Sequence, residues 1–265
     1  MNIFFHELKA YRKSSIIWAL TLSALAILYL IIFPSFMKDV NTVKKMLLGY
    51  PLPVRNALGL SIESFTTLIG FYSFVFGYII LCGAIQAMNI GTGILSKEVR
   101  DKTADFLLTK PVKRSTILTA KVVAAAASLL ITNLYYIVIV LICALIIEPN
   151  TLSIKLFLLI SFSLYLIQLM FMSLGIVISV IVPKIKSVLS ISLSTVFSFF
   201  ILSMFGSVIG EANIRYLTPF KYYDTAYIMK NGSYDVSFII IEIAFIFIVL
   251  SASYIIYNKK DIHAV

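Results

Sequence analysis

Six stretches of this chain, at 15–33, 66–90, 118–147, 154–182, 187–209 and 236–257, are apolar and long enough to cross a membrane. The hydrocarbon layer is about 30 Å thick and takes roughly 20 helical residues to span. No water reaches backbone N–H and C=O groups there, so each stretch must satisfy its own hydrogen bonds as a helix. A β-barrel would show short alternating segments, and "AAAASLLITNLYYIVIVLICALII" does not alternate. The chain therefore reads as an all-α membrane protein with six transmembrane helices. Composition agrees, since only 13% of the 265 residues are charged, against about 25% in soluble domains. Pro34, Pro149 and Pro183 fall at or just beyond the ends of these stretches, where a missing N–H does little harm.

Lys and Arg placement sets the orientation. With the N-terminus inside, the inner side holds Lys9, Arg12, Lys13, Lys97, Arg100, Lys102, Lys110, Lys113, Arg114, Lys121, Lys184, Lys186, Lys259 and Lys260. The outer side holds the smaller set of Lys38, Lys44, Lys45, Arg55, Lys155, Arg215, Lys221 and Lys230. The positive-inside rule then puts both termini in the cytoplasm. The net charge of +10 follows from this topology, and no nucleic-acid partner is read from it. The first apolar run is too long for a signal peptide and lacks a small-x-small cleavage site, so it is expected to be retained. Cys82 and Cys143 both lie in spans and read as small buried hydrophobes.

The segments between spans divide into a few types, and none is long enough for a separate soluble domain. Residues 1–14 place Phe4, Leu8 and Tyr11 on one helical face and Asn2, His6, Lys9 and Lys13 on the other. That pattern suits an interfacial helix on anionic headgroups; the alternative is a basic tail that only sets topology. The outer loop at 34–64 reads as turns around a short helix, and 148–153 and 183–186 as tight hairpins. The outer segment 210–235 carries five tyrosines, Phe220 and a Thr218-Pro219 break, as expected of an interfacial or re-entrant segment.

Catalytic chemistry is missing. The two histidines are His6 and His263, near opposite ends, so no His-based metal site or Ser-His pair can form in the spans. There is no HExxH or GxSxG, and "GTGILSK" at 91–97 lacks the Gly-Lys-Ser/Thr of a phosphate loop. The chain is not expected to be an enzyme, to bind a metal or to hold ATP. Polar groups within spans are few: Gln86, Asn89, Asn133, Gln168 and Glu242, besides Ser and Thr. Asn133 and Gln168 are expected to hydrogen-bond between helices. Glu242 has two readings, a proton or cation contact on a translocation path, or an outer interfacial carboxylate held by Arg215 or Lys221.

The densest charge lies in "SKEVRDKTADFLLTKPVKRSTILTAK", between spans two and three, with six basic and three acidic residues from Lys97 to Arg114. Glu98 and Lys102 make a favourable i,i+4 pair. Ala104, Leu107 and Leu108 fall on one face with Phe106 beside it, and Pro111 stops the helix. Segment 94–117 thus reads as a short cytoplasmic helix with an apolar knob that needs a cover.

This segment resembles the cytoplasmic segment of ABC-2-type transporter permeases, the membrane subunits of ATP-driven exporters. The matching residues are Glu98, Asp101, Lys102, Thr103, Asp105, Phe106, Leu107, Leu108, Pro111, Val112, Arg114 and Lys121. The opening "FHELKAYRKS", the outer "LTPFKYYD" and the six-span plan are also similar to that family. Two positions differ from its pattern, Lys102 and Ala120, where glycine is frequent. The resemblance implies a single permease domain over 1–265 whose coupling helix docks in a separate ABC ATPase subunit. That subunit would hold ATP and Mg, and this chain neither. Phe106 and Leu107 would form the seat, with Glu98, Asp101, Asp105, Lys110 and Arg114 fixing its orientation. A second permease copy or paralogue would complete the path, lined by spans two and five with Gln86, Ser194 and Ser198. Pro219, Phe220, Tyr222 and Tyr223 would belong to an outer gate above it.

The expected protein is a multi-pass exporter subunit of a bacterial cell membrane, carrying an amphipathic or hydrophobic substrate. An apolar, aromatic path favours a peptide toxin or antimicrobial peptide, with drugs and lipids as further classes. The alternatives are a self-contained secondary carrier or channel, relying on Glu242 and nearby polar groups, and a membrane anchor for a cytoplasmic partner.

Overall fold

A computed structural model describes residues 3–38, 40–58, 66–100, 113–182, 185–209 and 214–259, with no strand among them. In order the helices are α1 (Ile3–Lys38), α2 (Val40–Leu48), α3 (Leu52–Leu58), α4 (Leu68–Arg100), α5 (Arg114–Ile147), α6 (Ile154–Ile181) and α7 (Val188–Ile209). There follow α8 (Ile214–Leu217), a 3-10 turn at Pro219–Lys221, α9 (Thr225–Asn231) and α10 (Val236–Lys259). By length and composition α1, α4, α5, α6, α7 and α10 are the helices able to cross a membrane. They match the six apolar stretches, and α2 and α3 occupy the loop expected to hold a short helix.

Three helices outrun the apolar stretches that define them. α1 has 36 residues, α4 33 and α5 34, which at about 1.5 Å per residue makes each on the order of 50 Å long. A helix does not stop where the hydrocarbon ends, because Lys, Arg and Glu are good helix formers and extend it into water. Residues 3–14 accordingly continue straight into the first span, with no break between them. Pro34 lies inside α1, four residues short of its end. It forfeits one hydrogen bond without ending the helix. Elsewhere proline does punctuate: Glu148 before Pro149 and Val182 before Pro183 both leave the helical region, as the residue preceding a proline is driven to do.

Packing arranges the long helices as two parallel pairs. Along α1 and α5, Glu7 meets Lys121 and Ser15 meets Ser128, so the two helices advance in the same direction. Along α4 and α6, Tyr72 stacks on Phe157, Gly83 lies against Leu164, and Gly91 against Met172 and Gly175. α6 is buried on most of its circumference, from Phe157 through Ile167 and Gln168 to Val180, and forms the centre of the bundle. α10 is the most peripheral span and exposes Val236, Ile240, Ile243, Phe247, Ile248 and Ile255. Cys82 and Cys143 are free thiols, half-buried rather than fully enclosed.

The α4–α6 contact is the tightest. A Cβ on Gly91 would lie 2.2 Å from the Met172 carbonyl oxygen, and one on Gly175 would lie 2.6 Å from the Thr92 nitrogen. Lipid tails are as apolar as leucine, so burial alone does not drive two helices together in a bilayer. Close backbone approach through small residues does. Gly83, Ala87 and Gly91 recur every four residues and put that small surface on one face of α4.

Candidate functional site

Polar side chains gather at three levels of the bundle. The first is the end that carries the start of α5. There Lys121, 2% exposed, donates from Nζ to Glu7 Oε1 at 2.7 Å. Two turns further in, the Ser15 and Ser128 hydroxyls meet at 2.6 Å. On the other side of α5, Thr119 Oγ1 lies 2.7 Å from Tyr254 Oη near the end of α10. These contacts bring the first turns of α1 and the last turns of α10 to one end of the bundle. The charged segment between α4 and α5 leaves from that same end.

Of the residues expected to couple to a partner, Asp101, Lys102, Thr103, Asp105, Phe106, Leu107, Leu108, Lys110 and Pro111 lie outside the described residues. Glu98 is within the last turns of α4, though its side chain is outside them. Arg114 opens α5 and is half-buried.

The second level lies among α4, α5 and α6. Gln168 donates from Nε2 to the Gly83 carbonyl and to Gln86 Oε1, both at 3.1 Å. Asn133 Nδ2 donates to Gln168 Oε1 and to the Leu129 carbonyl. Gln86 Nε2 donates to Thr132 Oγ1 at 3.3 Å. All four side chains are essentially inaccessible. Asn133 and Gln168 therefore join helices as expected, and Gln86 belongs to the same network. Ser194 and Ser198 have different surroundings: both are exposed on α7, where Ser198 Oγ donates back to the Ser194 carbonyl at 2.7 Å. Nearer the opposite end, the Tyr72 hydroxyl lies 2.7 Å from both Tyr136 Oη and Ser161 Oγ, again joining α4, α5 and α6.

The third level is the segment between α7 and α10. Its local structure follows from short-range chemistry. Pro219 opens the 3-10 turn, a position its fixed φ favours. Asp224 caps α9 by accepting from the Ala226 and Tyr227 amides. Gly232 closes α9 at φ 62°, a left-handed conformation suited to glycine. Thr218 Oγ1 donates to the Phe199 carbonyl at 3.0 Å, and the Phe220 ring meets Phe171 and Phe200. Tyr222 packs on Phe238 and donates to the Tyr216 carbonyl. The structure thus gathers Pro219, Phe220, Tyr222 and Tyr223 against α6, α7 and α10, with Phe220 reaching the middle of α6 and α7 and Tyr222 and Tyr223 the first turns of α10.

Glu242 is the buried carboxyl of this level, and it accepts its hydrogen bond from the Tyr223 hydroxyl. Neither basic residue expected to hold it does so. Arg215 instead pairs with Asp235 at 3.6 Å and lies 4.1 Å over the Phe238 ring. Burial pushes the Lys221 ammonium below its ordinary range, with Asp224 opposing and Arg215 assisting. Burial also raises the Tyr223 hydroxyl well above its ordinary value of 10, reinforced by its bond to Glu242 and by that group's charge. Tyr234, edge-on to Tyr223, is raised by burial and then by the Glu242 charge, and donates to the Leu159 carbonyl.

Two features lay unread in the sequence. The small-residue spacing Gly83, Ala87, Gly91 was visible as a four-residue repeat. The Glu7–Lys121 pair was not, because its partners are separated by 114 positions and no local rule joins them.

Among the described residues no group of His, Cys, Asp and Glu could hold a metal ion. The sequence model that describes ABC-2 family transporter proteins matches residues 1–262 of this chain, and so takes in every helix above. A comparison with curated proteins finds no match.

Proposed function

The chain belongs to the ABC-2 family of transporter proteins, and from that premise we propose that it is the permease subunit of an ATP-driven exporter. The observation that carries this reading is the whole-chain family match on a six-span helical protein. In the proposed assembly a separate ABC ATPase holds ATP and Mg, and the segment at 94–117 docks into it. That division of labour is supported by the lack of a phosphate loop in the sequence. It is also supported by where the segment leaves the bundle, beside the first turns of α1 and the last turns of α10. Lys and Arg density supports placing that end in the cytoplasm, and the membrane we propose is that of a bacterial cell.

The substrate we propose is amphipathic or hydrophobic, a peptide toxin or antimicrobial peptide by preference. Aromatic and apolar surface supports this choice: Phe197, Ile201 and Phe205 are exposed on α7 beside Ser194 and Ser198. A second permease copy or paralogue would face that surface and complete the path. The segment from Ile214 to Asn231 would be its outer gate. Purification of the chain with its chromosomal neighbours tests the proposal. A co-purifying ATPase whose turnover the chain stimulates is the expected result, and the absence of both would sink the exporter reading.

A further inference from the structure

The opening "FHELKAYRKS" and the end of the charged segment, "ILTAK", are far apart in the chain. In the structure they touch through Glu7 and Lys121, 2.7 Å apart, with side chains 18% and 3% exposed. A salt bridge this buried is a poor choice for stability alone, because desolvating two charges offsets much of their attraction. An apolar pair of similar shape often serves as well or better. What such a pair does supply is register. It fixes which turn of one helix lies against which turn of the other, since any slip pulls the two opposite charges apart.

The position of the pair gives that register a use. Lys121 is seven residues into α5, about 10 Å from where the chain emerges from the charged segment. Glu7 is four residues into α1. Both helices then run unbroken to the far end of the bundle, and Ser15 and Ser128 bond again two turns on. A displacement applied at Arg114 would reach α5 first, and contacts such as these would carry it to the N-terminal turns of α1.

We infer that Glu7 and Lys121 are positioning residues that lock α1 and α5 into one lever, so that the N-terminal turns move with the coupling segment. The inference rests on the exporter reading for its driving force, but the lock itself can be tested without it. Spin labels at Lys9→Cys and Thr116→Cys, both exposed, would report the α1–α5 distance in the full chain with Cys82 and Cys143 replaced by alanine. In lipid nanodiscs with the co-purified ATPase, one narrow distance is expected, the same without nucleotide and after trapping with ATP and vanadate.

Glu7→Gln is expected to lose that single narrow distance, and the exchanged pair Glu7→Lys/Lys121→Glu to restore it. Glu7→Leu/Lys121→Met, which removes both charges of the pair, is expected to melt no lower than the native chain yet to give the broad distribution. A merely structural pair would not separate those two readouts. A native distance that shifts on trapping would overturn the lock. So would a Glu7→Gln or Glu7→Leu/Lys121→Met distribution as narrow as the native one, or an exchange that stays broad. If no ATPase associates, the exporter reading fails, while the width in the nucleotide-free permease still decides the lock.

Discussion

Gly91 and Gly175 face each other across α4 and α6 so closely that a Cβ on either would overlap the other helix's backbone. Backbone cannot swing aside as a side chain can, so the two helices would have to separate along this stretch. Gly91→Ala and Gly175→Ala are each expected to cost about 1–3 kcal/mol through overpacking. Gly93, which has open space beside it, supplies the control: Gly93→Ala should not lower the melting temperature in detergent. Equal melting temperatures for Gly91→Ala and Gly93→Ala would refute the close crossing.

The amide network predicts a different signature. Gln168→Leu removes the acceptor of Asn133 and the donor to Gln86 and Gly83 at once. Leaving buried polar groups unsatisfied costs about 1–3 kcal/mol each. Asn133→Leu added to Gln168→Leu should then cost less than the sum of the two single changes, because the orphaned group goes with it. Denaturation of reconstituted protein would measure this, and strict additivity would show that the residues do not form one network.

Tyr223 is expected to act as a clasp between the outer segment and α10. Tyr223→Phe keeps the ring and removes the only hydrogen bond described for Glu242, at a cost of about 1–3 kcal/mol. Protease sensitivity of 210–235 should rise in Tyr223→Phe and less in Glu242→Gln, which can still accept from the hydroxyl.

The same hydroxyl carries a pH dependence. Its folded value is raised above 10, so the protonated form is the one the fold favours. The stability it contributes is present in full below pH 10 and is lost as pH climbs toward the folded value. Proteolysis of 210–235 in detergent should therefore accelerate above pH 10 in the native chain. Tyr223→Phe should show a smaller acceleration, since it has no phenol there to titrate.

For the coupling segment the prediction concerns association. Phe106→Asp and Leu107→Asp each put a carboxylate where the apolar knob would seat, and burying an unpaired charge is costly. Both variants should insert in the membrane normally and fail to retain the ATPase on an affinity column. Retention at native levels in both would argue strongly against docking through this knob.

How much of this was legible in advance depends on the range of the chemistry involved. The spans were readable because the bilayer imposes one length and one composition on 15–33 or 236–257, whatever they pack against. The break at Thr218-Pro219 was readable because proline acts on its own backbone. The ends of α1, α4 and α5 were not, since hydropathy marks where lipid stops and helix propensity decides where the helix stops. Glu242 illustrates the larger gap. Its burial in a span was foreseeable, but choosing Tyr223 over Arg215 as its partner required knowing that Asp235 and Phe238 had already engaged the arginine. Pairings between distant residues are decided by competition among all the groups within reach.

The two parallel pairs have a consequence for how the protein is made. Neighbouring helices that point the same way cannot be joined by a hairpin, so each pair waits for an intervening span. Ser128 follows Ser15 by 113 residues, and at about 5–20 residues per second their synthesis is separated by on the order of ten seconds. During that interval α1 sits in the bilayer with its serine face uncovered, and α4 likewise holds its glycine face ready for α6. Assembly of the bundle is therefore ordered by the ribosome. The first span to be made keeps its serine face uncovered until the third has entered the bilayer, and that early exposure is a natural point for a membrane chaperone or insertase to act.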